Sequence, residues 1–119
     1  MKNIYISHSR LFDYKNELYT PLLKASTDFE FLFPHLDSNT PFLIKEDLKN
    51  KKVDFVLAEV SYPSTGQGIE LAWAEFYSIP IVCIYKSGMK YSGSLTTICQ
   101  TFIEYTKINK ALLNTILNK

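Results

Sequence analysis

Three residues near the middle of the chain could form a binding site for an anion with a reactive carboxylate beside it. Gly66, Gly68 and Glu70 lie in the segment SYPSTGQGIELAWAE, residues 61–75, where a loop leads into a predicted helix. A glycine inside a helix costs about 1 kcal/mol relative to alanine, so two of them weaken the start of this helix. Because glycine has no Cβ, a ligand can approach its backbone closely, and the amides at a helix start favour an anion such as phosphate.

Glu70 adds a possible nucleophile to this segment. Helical Cβ atoms tilt toward the N-terminus, so a glutamate in the second turn can lean over the start of the helix. Its neighbours are mostly apolar, and their packing would partly remove the carboxylate from water. Such a carboxylate is suited to attack on a sugar carbon. The sequence leaves open that Glu70 is solvent-exposed, and that Ser64 and Gln67 form an ordinary capping box.

Strands and helices alternate along the chain, and they must position these residues. Strand patterns cover residues 3–7, 28–33, 53–60 and 79–85, and helix patterns cover 10–26, 43–51 and the stretch from the glycine loop to about 78. Pro21 should kink the first helix or end one segment of it. The tail from about residue 96 is predicted to be mainly helical, with a possible short strand near TFIEY. This alternation predicts a three-layer α/β fold with a mostly parallel sheet, in one domain over residues 1–119.

The predicted sheet also locates the site. In open α/β sheets, ligands bind beyond the carboxyl ends of the strands. The polar segments 7–10, 34–37, 61–68 and 86–94 each follow a predicted strand. We therefore expect these four segments to meet at one edge of the sheet.

The composition excludes several classes of protein and of site. Of 119 residues, 46% are hydrophobic and 21% charged, and the net charge of +1 gives no reason to expect nucleic acid or a membrane as partner. No apolar run approaches the roughly 18 residues of a membrane span, and the N-terminus does not have the pattern of a signal peptide. Cys83 and Cys99 are too few for a disulfide framework, and two histidines make a poor metal site. We therefore expect a cytoplasmic protein with reduced, buried cysteines, no metal and no cofactor.

Two segments, DFVLAEVSYPSTGQGIELAWA and IPIVCIYKSG, resemble the nucleoside 2-deoxyribosyltransferase superfamily, most of all its 2'-deoxynucleoside 5'-monophosphate N-glycosidases. The resemblance is strong over about residues 54–94 and weaker but collinear over the first 50. It implies a flavodoxin-like (Rossmann-like) fold with about five strands. It also implies a small-molecule nucleotide or nucleoside ligand and a homodimer or higher homo-oligomer. In this superfamily a glutamate attacks the anomeric carbon, the base leaves, and water or a second base accepts the sugar.

The resemblance assigns roles to individual residues. Glu70 matches the nucleophile, and Ser64, Gly66 and Gly68 match the loop that holds the 5' end of the nucleotide. Nucleoside transferases have an aspartate six residues before the glutamate, where this chain has Ser64. A serine can donate to a phosphate that a carboxylate would repel, which favours a nucleotide over a nucleoside. Arg10 falls where the hydrolases have a phosphate-binding arginine.

Other assignments are less uniform. Ser92 or Ser94 resembles a serine that a neighbouring subunit lends to the phosphate, although either could be a plain loop serine. The first loop of the family commonly has the sequence G-S-I-R-G, whereas this chain has S-H-S-R-L with Ser7 and His8 in place of the small pair. We expect Ser7 and His8 to contact the ligand at the site edge and His35 to line the base pocket. A protonated His8 would make phosphate affinity rise below about pH 6.5.

The second acid of the reaction is ambiguous. In the family it precedes the central strand by about eight residues, which points to Glu46 or Asp47, and we prefer Asp47. A retaining reaction places the two carboxyl groups roughly 5 Å apart. Glu59, near the strand end, could instead be a structural acid that binds loop amides.

Two other functions compete with a deoxynucleotide N-glycosidase. One is a deoxyribosyltransferase acting on unphosphorylated nucleosides, and the other is a non-catalytic nucleotide-binding module on the same fold. The segment YISHSR is also similar to the start of TIR domains, but the rest of the chain lacks their length and pattern, which ranks this third. If subunits associate, Tyr77, Tyr85 and Tyr91 are candidate interface residues.

Overall fold

Five strands form one parallel sheet in the computed structural model, which describes residues 2–25, 28–35 and 44–118. The strands are β1 Lys2–His8, β2 Phe29–Leu32, β3 Phe55–Glu59, β4 Ile81–Lys86 and β5 Phe102–Tyr105. Their order across the sheet is β2-β1-β3-β4-β5, and every neighbouring pair is parallel. This is the strand order of flavodoxin-like proteins. The predicted three-layer α/β fold with a mostly parallel, five-stranded sheet is confirmed.

Helices cover both faces of the sheet. They are α1 Thr20–Ala25, α2 Lys45–Lys49, α3 Thr65–Phe76 and α4 Lys110–Leu117, with a π-helical turn over Lys15–Tyr19 and a 3₁₀ turn over Gly93–Thr97. One core cluster joins α1 and α4 to the sheet, and it includes Leu22, Leu113 and Ile116. The other joins α2 and α3 to the opposite face, and it includes Leu48, Leu71 and Ala74.

The alternation of side chains along β1 decides which residues face α3. Ile4 and Ile6 belong to the core cluster of α1 and α4, whereas Tyr5 belongs to the cluster of α2 and α3. Successive strand residues point to opposite faces, so Ser7 lies on the same face as Tyr5. Both residues are completely buried.

The first helical region differs from its prediction. Residues 10–14 precede any helix, and the π-helical turn passes into α1 at Thr20, immediately before Pro21. The Thr20 amide bonds the Lys15 carbonyl, and Pro21 has no N–H with which to continue a regular ladder. The expected irregularity at Pro21 is therefore present as a change of helix type.

Other boundaries move by a few residues. The possible strand near TFIEY is β5, so the tail contains a strand and a 3₁₀ turn as well as α4. The predicted loop 34–41 lies mostly outside the described residues, as does the start of the helix predicted at 43–51. Cys83 and Cys99 are buried free thiols. None of the helices in the described ranges is both long enough and apolar enough to cross a membrane.

Candidate active site

A cavity of about 530 Å³, here named the main cavity because Glu70 lines it, lies at the carboxyl edge of the sheet. Three regions contribute to it. They are the end of β1 with the residues after it, His35 after β2, and the loop between β3 and α3 together with the first turns of α3. The described residues that line it are His8, Ser9, Arg10, Leu11, His35, Pro63, Ser64, Thr65, Gly66, Gln67, Ile69, Glu70 and Trp73. Three of the four polar segments expected at this edge therefore meet in one cavity.

Two hydroxyl groups from β1 hold the carboxylate of Glu70. The Tyr5 hydroxyl donates to Oε2, and the Ser7 hydroxyl donates to Oε1 at 2.9 Å. The strand supplies both donors because residues two apart lie on the same face. Glu70 is thus fixed in one orientation at the wall of the cavity, and the solvent-exposed alternative is wrong.

Burial and these hydrogen bonds act on the pKa of Glu70 in opposite directions. Loss of hydration raises the pKa above its usual value, and the hydrogen bonds from Tyr5 and Ser7 partly offset the rise. The pKa of Tyr5 is also raised, by burial and by the nearby carboxylate, so Tyr5 stays protonated as a donor. A partly desolvated and oriented carboxylate in a cavity is an arrangement typical of functional sites.

The start of α3 forms the opposite end of the cavity from Trp73. Ser64 caps the helix, and its side-chain oxygen accepts from the Gln67 amide at 3.4 Å. The amides of Thr65 and Gly66 belong to the first turn, where no intrahelical carbonyl is available. A Cβ on Gly66 would meet no heavy atom within 4 Å. The packing of the described residues therefore does not require a glycine there, and close approach of a ligand remains a sufficient reason for it.

Only half of the predicted capping box is present. The Gln67 side chain does not return to Ser64; its Nε2 donates to the Glu59 carbonyl at 2.8 Å. Gln67 is buried, so this bond ties the first turn of α3 to the end of β3. The loop between them is held from both sides.

His8 is buried beside an aromatic cluster. Its Nδ1 lies 2.7 Å from the Ser9 carbonyl, and its Nε2 is hydrogen-bonded to the Tyr19 hydroxyl, which also accepts from the His35 amide at 3.2 Å. Burial lowers the pKa of His8 to about 4. The expectation that a protonated His8 raises phosphate affinity below about pH 6.5 is therefore wrong in its pH, because burial keeps this imidazole neutral down to about pH 4.

The predicted phosphate-loop residues divide between two cavities. Gly68 lines a second cavity of about 350 Å³, together with Ser92 and Ser94. Ser64 and Thr65 line both cavities. The two serines thus lie beside the start of α3 within their own chain, and their contact with a phosphate stays a prediction.

Asp47 lies in α2 and is half-buried. Among the described residues, the lining of the main cavity does not include it, and its role as the second acid stays a prediction. Glu59 is buried, and its Oε1 accepts from the Ser61 amide at 2.6 Å while the Tyr105 hydroxyl donates to Oε2. Glu59 therefore binds a loop amide, which is the structural role that the sequence analysis gives as an alternative for it.

Three residues at or behind the cavity were missed: Tyr5, Tyr19 and Trp73. The period of two in IYIS could have found Tyr5, because it places that residue on the face of Ser7. Trp73 follows Glu70 by three residues, which is the spacing of neighbours on one helix face. Within the described ranges, no three His, Cys, Asp or Glu side chains are close enough together to hold a metal ion.

Comparison with known proteins gives two relevant similarities. No protein-family model matches the chain. A 38-residue stretch is 47% identical to a protein of Syntrophotalea carbinolica whose name gives it as a candidate 2'-deoxynucleoside 5'-phosphate N-hydrolase; this stretch is 32% of the chain and 27% of that relative. The structure of the CMP N-glycosidase BcmB of Clostridium botulinum matches with a TM-score of 0.60 at 20% identity, over 97% of this chain and 99% of that one.

The resemblance to the nucleoside 2-deoxyribosyltransferase superfamily is confirmed for the 38 residues that match the relative from Syntrophotalea carbinolica. The names of both proteins describe cleavage of the N-glycosidic bond of a nucleotide. The structural match shows a shared fold, since translation elongation factor SelB of Methanococcus maripaludis also matches with a TM-score of 0.60, at 14% identity over 99% of this chain and 35% of that one. The fold alone does not determine the function, which depends on the residues of the cavity.

Proposed function

We propose that this chain cleaves the N-glycosidic bond of a 2'-deoxynucleoside 5'-monophosphate, with Glu70 as the nucleophile. The observation that carries the proposal is the Glu70 carboxylate, held by the buried hydroxyls of Tyr5 and Ser7 inside the cavity. A nucleotide-binding module would not need an oriented, partly desolvated carboxylate at that point. The names of the two relatives point to the same class of reaction.

The phosphate is assigned to the start of α3. Ser64, Thr65 and Gly66 form this start and line the cavity, and Arg10 lines the same cavity. Glu70 lies four residues beyond Gly66, about 6 Å along the helix axis at 1.5 Å per residue. A phosphate at the first turn would therefore place the sugar of a nucleotide beside Glu70.

The reaction proceeds in two displacements. An oxygen of Glu70 attacks the anomeric carbon, the carbon–nitrogen bond breaks, and the electron pair leaves with the base, which takes a proton from water. Water then attacks the same carbon, the ester bond to Glu70 breaks, and the carboxylate is restored as 2-deoxyribose 5-phosphate leaves. Each displacement inverts the carbon, so the overall configuration is retained.

The hydroxyls beneath Glu70 keep the attacking oxygen in place through both steps. They also stabilise the carboxylate when it is released, since hydrogen bonds to a charged group contribute about 1.5–3 kcal/mol each. If a second base replaces water in the second step, the same site performs transfer, so the first displacement is common to both outcomes.

A product screen tests the proposal. Deoxynucleoside monophosphates and the corresponding nucleosides are incubated with the protein, with and without an acceptor base, and released base is measured by mass spectrometry. We expect release from the monophosphates and its loss in Glu70→Ala. Glu75→Ala is the matched control, because Glu75 lies on the same helix, is exposed, and is not in the lining of the main cavity. Equal turnover in a well-folded Glu70→Ala protein would contradict the assignment.

A further inference from the structure

Trp73 lines the main cavity, but the displacement at Glu70 does not use it. It is half-buried, and it is the chain's single tryptophan. The Lys45 ammonium lies over the indole ring, 5.6 Å from its centroid. A cation in this position is attracted by the ring and helps to hold it in one orientation.

The residues of α3 that line the cavity form a stripe along the helix. Gly66, Glu70 and Trp73 are spaced by four and three residues, which is the spacing of neighbours on one face. Trp73 lies about 4.5 Å beyond Glu70 along the axis, and Gly66 lies about 6 Å before it. The stripe therefore runs from the first-turn amides through the carboxylate to an aromatic ring.

A nucleotide has its groups in a matching order. With the phosphate at the first turn and the anomeric carbon at Glu70, the base bonded to that carbon extends toward Trp73. The same cavity contains two large apolar side chains that are unusually exposed, Leu11 at 76% and Ile69 at 47%. A planar base placed there would cover apolar surface that otherwise contacts water.

We propose that Trp73 is the platform on which the nucleobase of the substrate stacks, held in place by Lys45. This inference rests on the proposed function, because the placement of phosphate and sugar along α3 is taken from it. Stacking on an aromatic ring tolerates every base, since each has a π face. Trp73 thus recognises that a base is present, whereas Glu70 acts on the bond that joins the base to the sugar.

Tryptophan fluorescence tests the stacking directly, because Trp73 is the one tryptophan beside eight tyrosines. The Glu70→Gln protein, which cannot turn substrate over, is titrated with deoxyguanosine monophosphate, deoxycytidine monophosphate and 2-deoxyribose 5-phosphate. We expect both nucleotides to quench the emission, and the sugar phosphate, which has no base, to leave it unchanged. Binding of the nucleotides by calorimetry without quenching would overturn the proposal.

Variants give a second, independent measurement. Trp73→Ala should weaken nucleotide binding about 5- to 150-fold, the range for loss of one stacked base, and leave the affinity for 2-deoxyribose 5-phosphate unchanged. Trp73→Phe should retain much of the affinity. Phe76→Ala is the matched control, because Phe76 is an exposed aromatic residue on α3 that is not in the cavity lining. If Trp73→Ala and Phe76→Ala bind nucleotide equally well, or if Trp73→Ala loses both ligands equally, the platform is wrong.

These results separate the inference from the function on which it rests. Quenching in Glu70→Gln and weaker nucleotide binding in Trp73→Ala, with no base released by the unmodified protein, would support the platform and contradict the glycosidase. Base release that depends on Glu70 but not on Trp73 would support the glycosidase and contradict the platform. Light scattering on each variant checks that the number of subunits has not changed.

Discussion

Tyr5→Phe removes one hydroxyl beneath Glu70 and leaves the ring that fills the core. Tyr5 is completely buried, and its hydroxyl donates to Oε2 of Glu70. A hydrogen bond to a charged group contributes about 1.5–3 kcal/mol. The same bond stabilises the carboxylate before substrate binds, so the loss of rate comes from misplacement of the attacking oxygen, and because a shift of about 1 Å costs up to about 100-fold, kcat/KM should fall about 10- to 100-fold at neutral pH.

The same substitution should move the pH profile. Burial raises the pKa of Glu70, and the hydrogen bond from Tyr5 opposes that rise. Without the hydroxyl the pKa of Glu70 rises further, so a larger fraction of the carboxylate is protonated at a given acid pH. Because only the ionised carboxylate attacks, the acid limb of the profile of kcat/KM should shift to higher pH in Tyr5→Phe.

The assay is base release measured as kcat/KM across the acid and neutral range. Tyr105→Phe is the control, because Tyr105 is also a buried tyrosine that donates to a carboxylate, that of Glu59, and it is not in the lining of the main cavity. Its acid limb should stay where that of the unmodified protein lies. An acid limb that shifts to lower pH in Tyr5→Phe, or that stays unchanged, would show that the Tyr5 hydroxyl does not lower the pKa of Glu70.

Three further predictions concern charge and assembly. Ser64→Asp should lower kcat/KM for a deoxynucleoside monophosphate by at least about tenfold and leave kcat/KM for the nucleoside nearly unchanged, since a carboxylate beside the phosphate repels it. Steady-state kinetics with both substrates measure this, and equal effects on the two substrates would count against a phosphate at this position. Glu70→Gln should stabilise the fold at neutral pH by about 0.5–2 kcal/mol. Because the pKa of Glu70 is raised in the folded protein, its favourable contribution to stability is present at acid pH and is lost as pH rises through the folded-state pKa. Thermal unfolding should therefore show a higher Tm for Glu70→Gln at pH 7 and no difference at acid pH, and a lower Tm at pH 7 would contradict this. Light scattering should show a homodimer or larger assembly at micromolar concentration, and a fully active monomer would contradict the expectation taken from the family.

The sequence predicts the residues of the site that lie on one helix better than it predicts the strands and loops that surround that helix. Gly66, Gly68 and Glu70 are close in sequence, so one helix start with the right composition is enough to suggest an anion site and a carboxylate. The cap at Ser64 follows from residue type and spacing alone. What surrounds that helix depends on which strand lies under it, and a pattern of alternation does not contain the order of strands across a sheet.

Tyr5 and His8 show the consequence of that difference. Tyr5 reaches Glu70 because β1 lies inside the sheet, between β2 and β3, and packs against α3; only the order β2-β1-β3-β4-β5 specifies this. His8 looked like a titratable edge residue because it follows a strand, but Tyr19 and neighbouring rings bury it. Trp73 lines the cavity together with the loop after β1, and the sequence alone does not show that this loop lies near it.

Trapping the covalent intermediate on Glu70 tests directly whether this residue is the nucleophile. A nucleotide with fluorine at the 2' carbon slows both displacements, because fluorine destabilises the oxocarbenium-like transition state, and a good leaving base restores the speed of the first step. The protein is mixed with this analogue, quenched in acid, and its intact and peptide masses are measured. We expect a fluorodeoxyribosyl phosphate adduct on the peptide that contains Glu70, and no adduct in Glu70→Gln. An adduct on another residue, or base release that continues in Glu70→Gln, would contradict it.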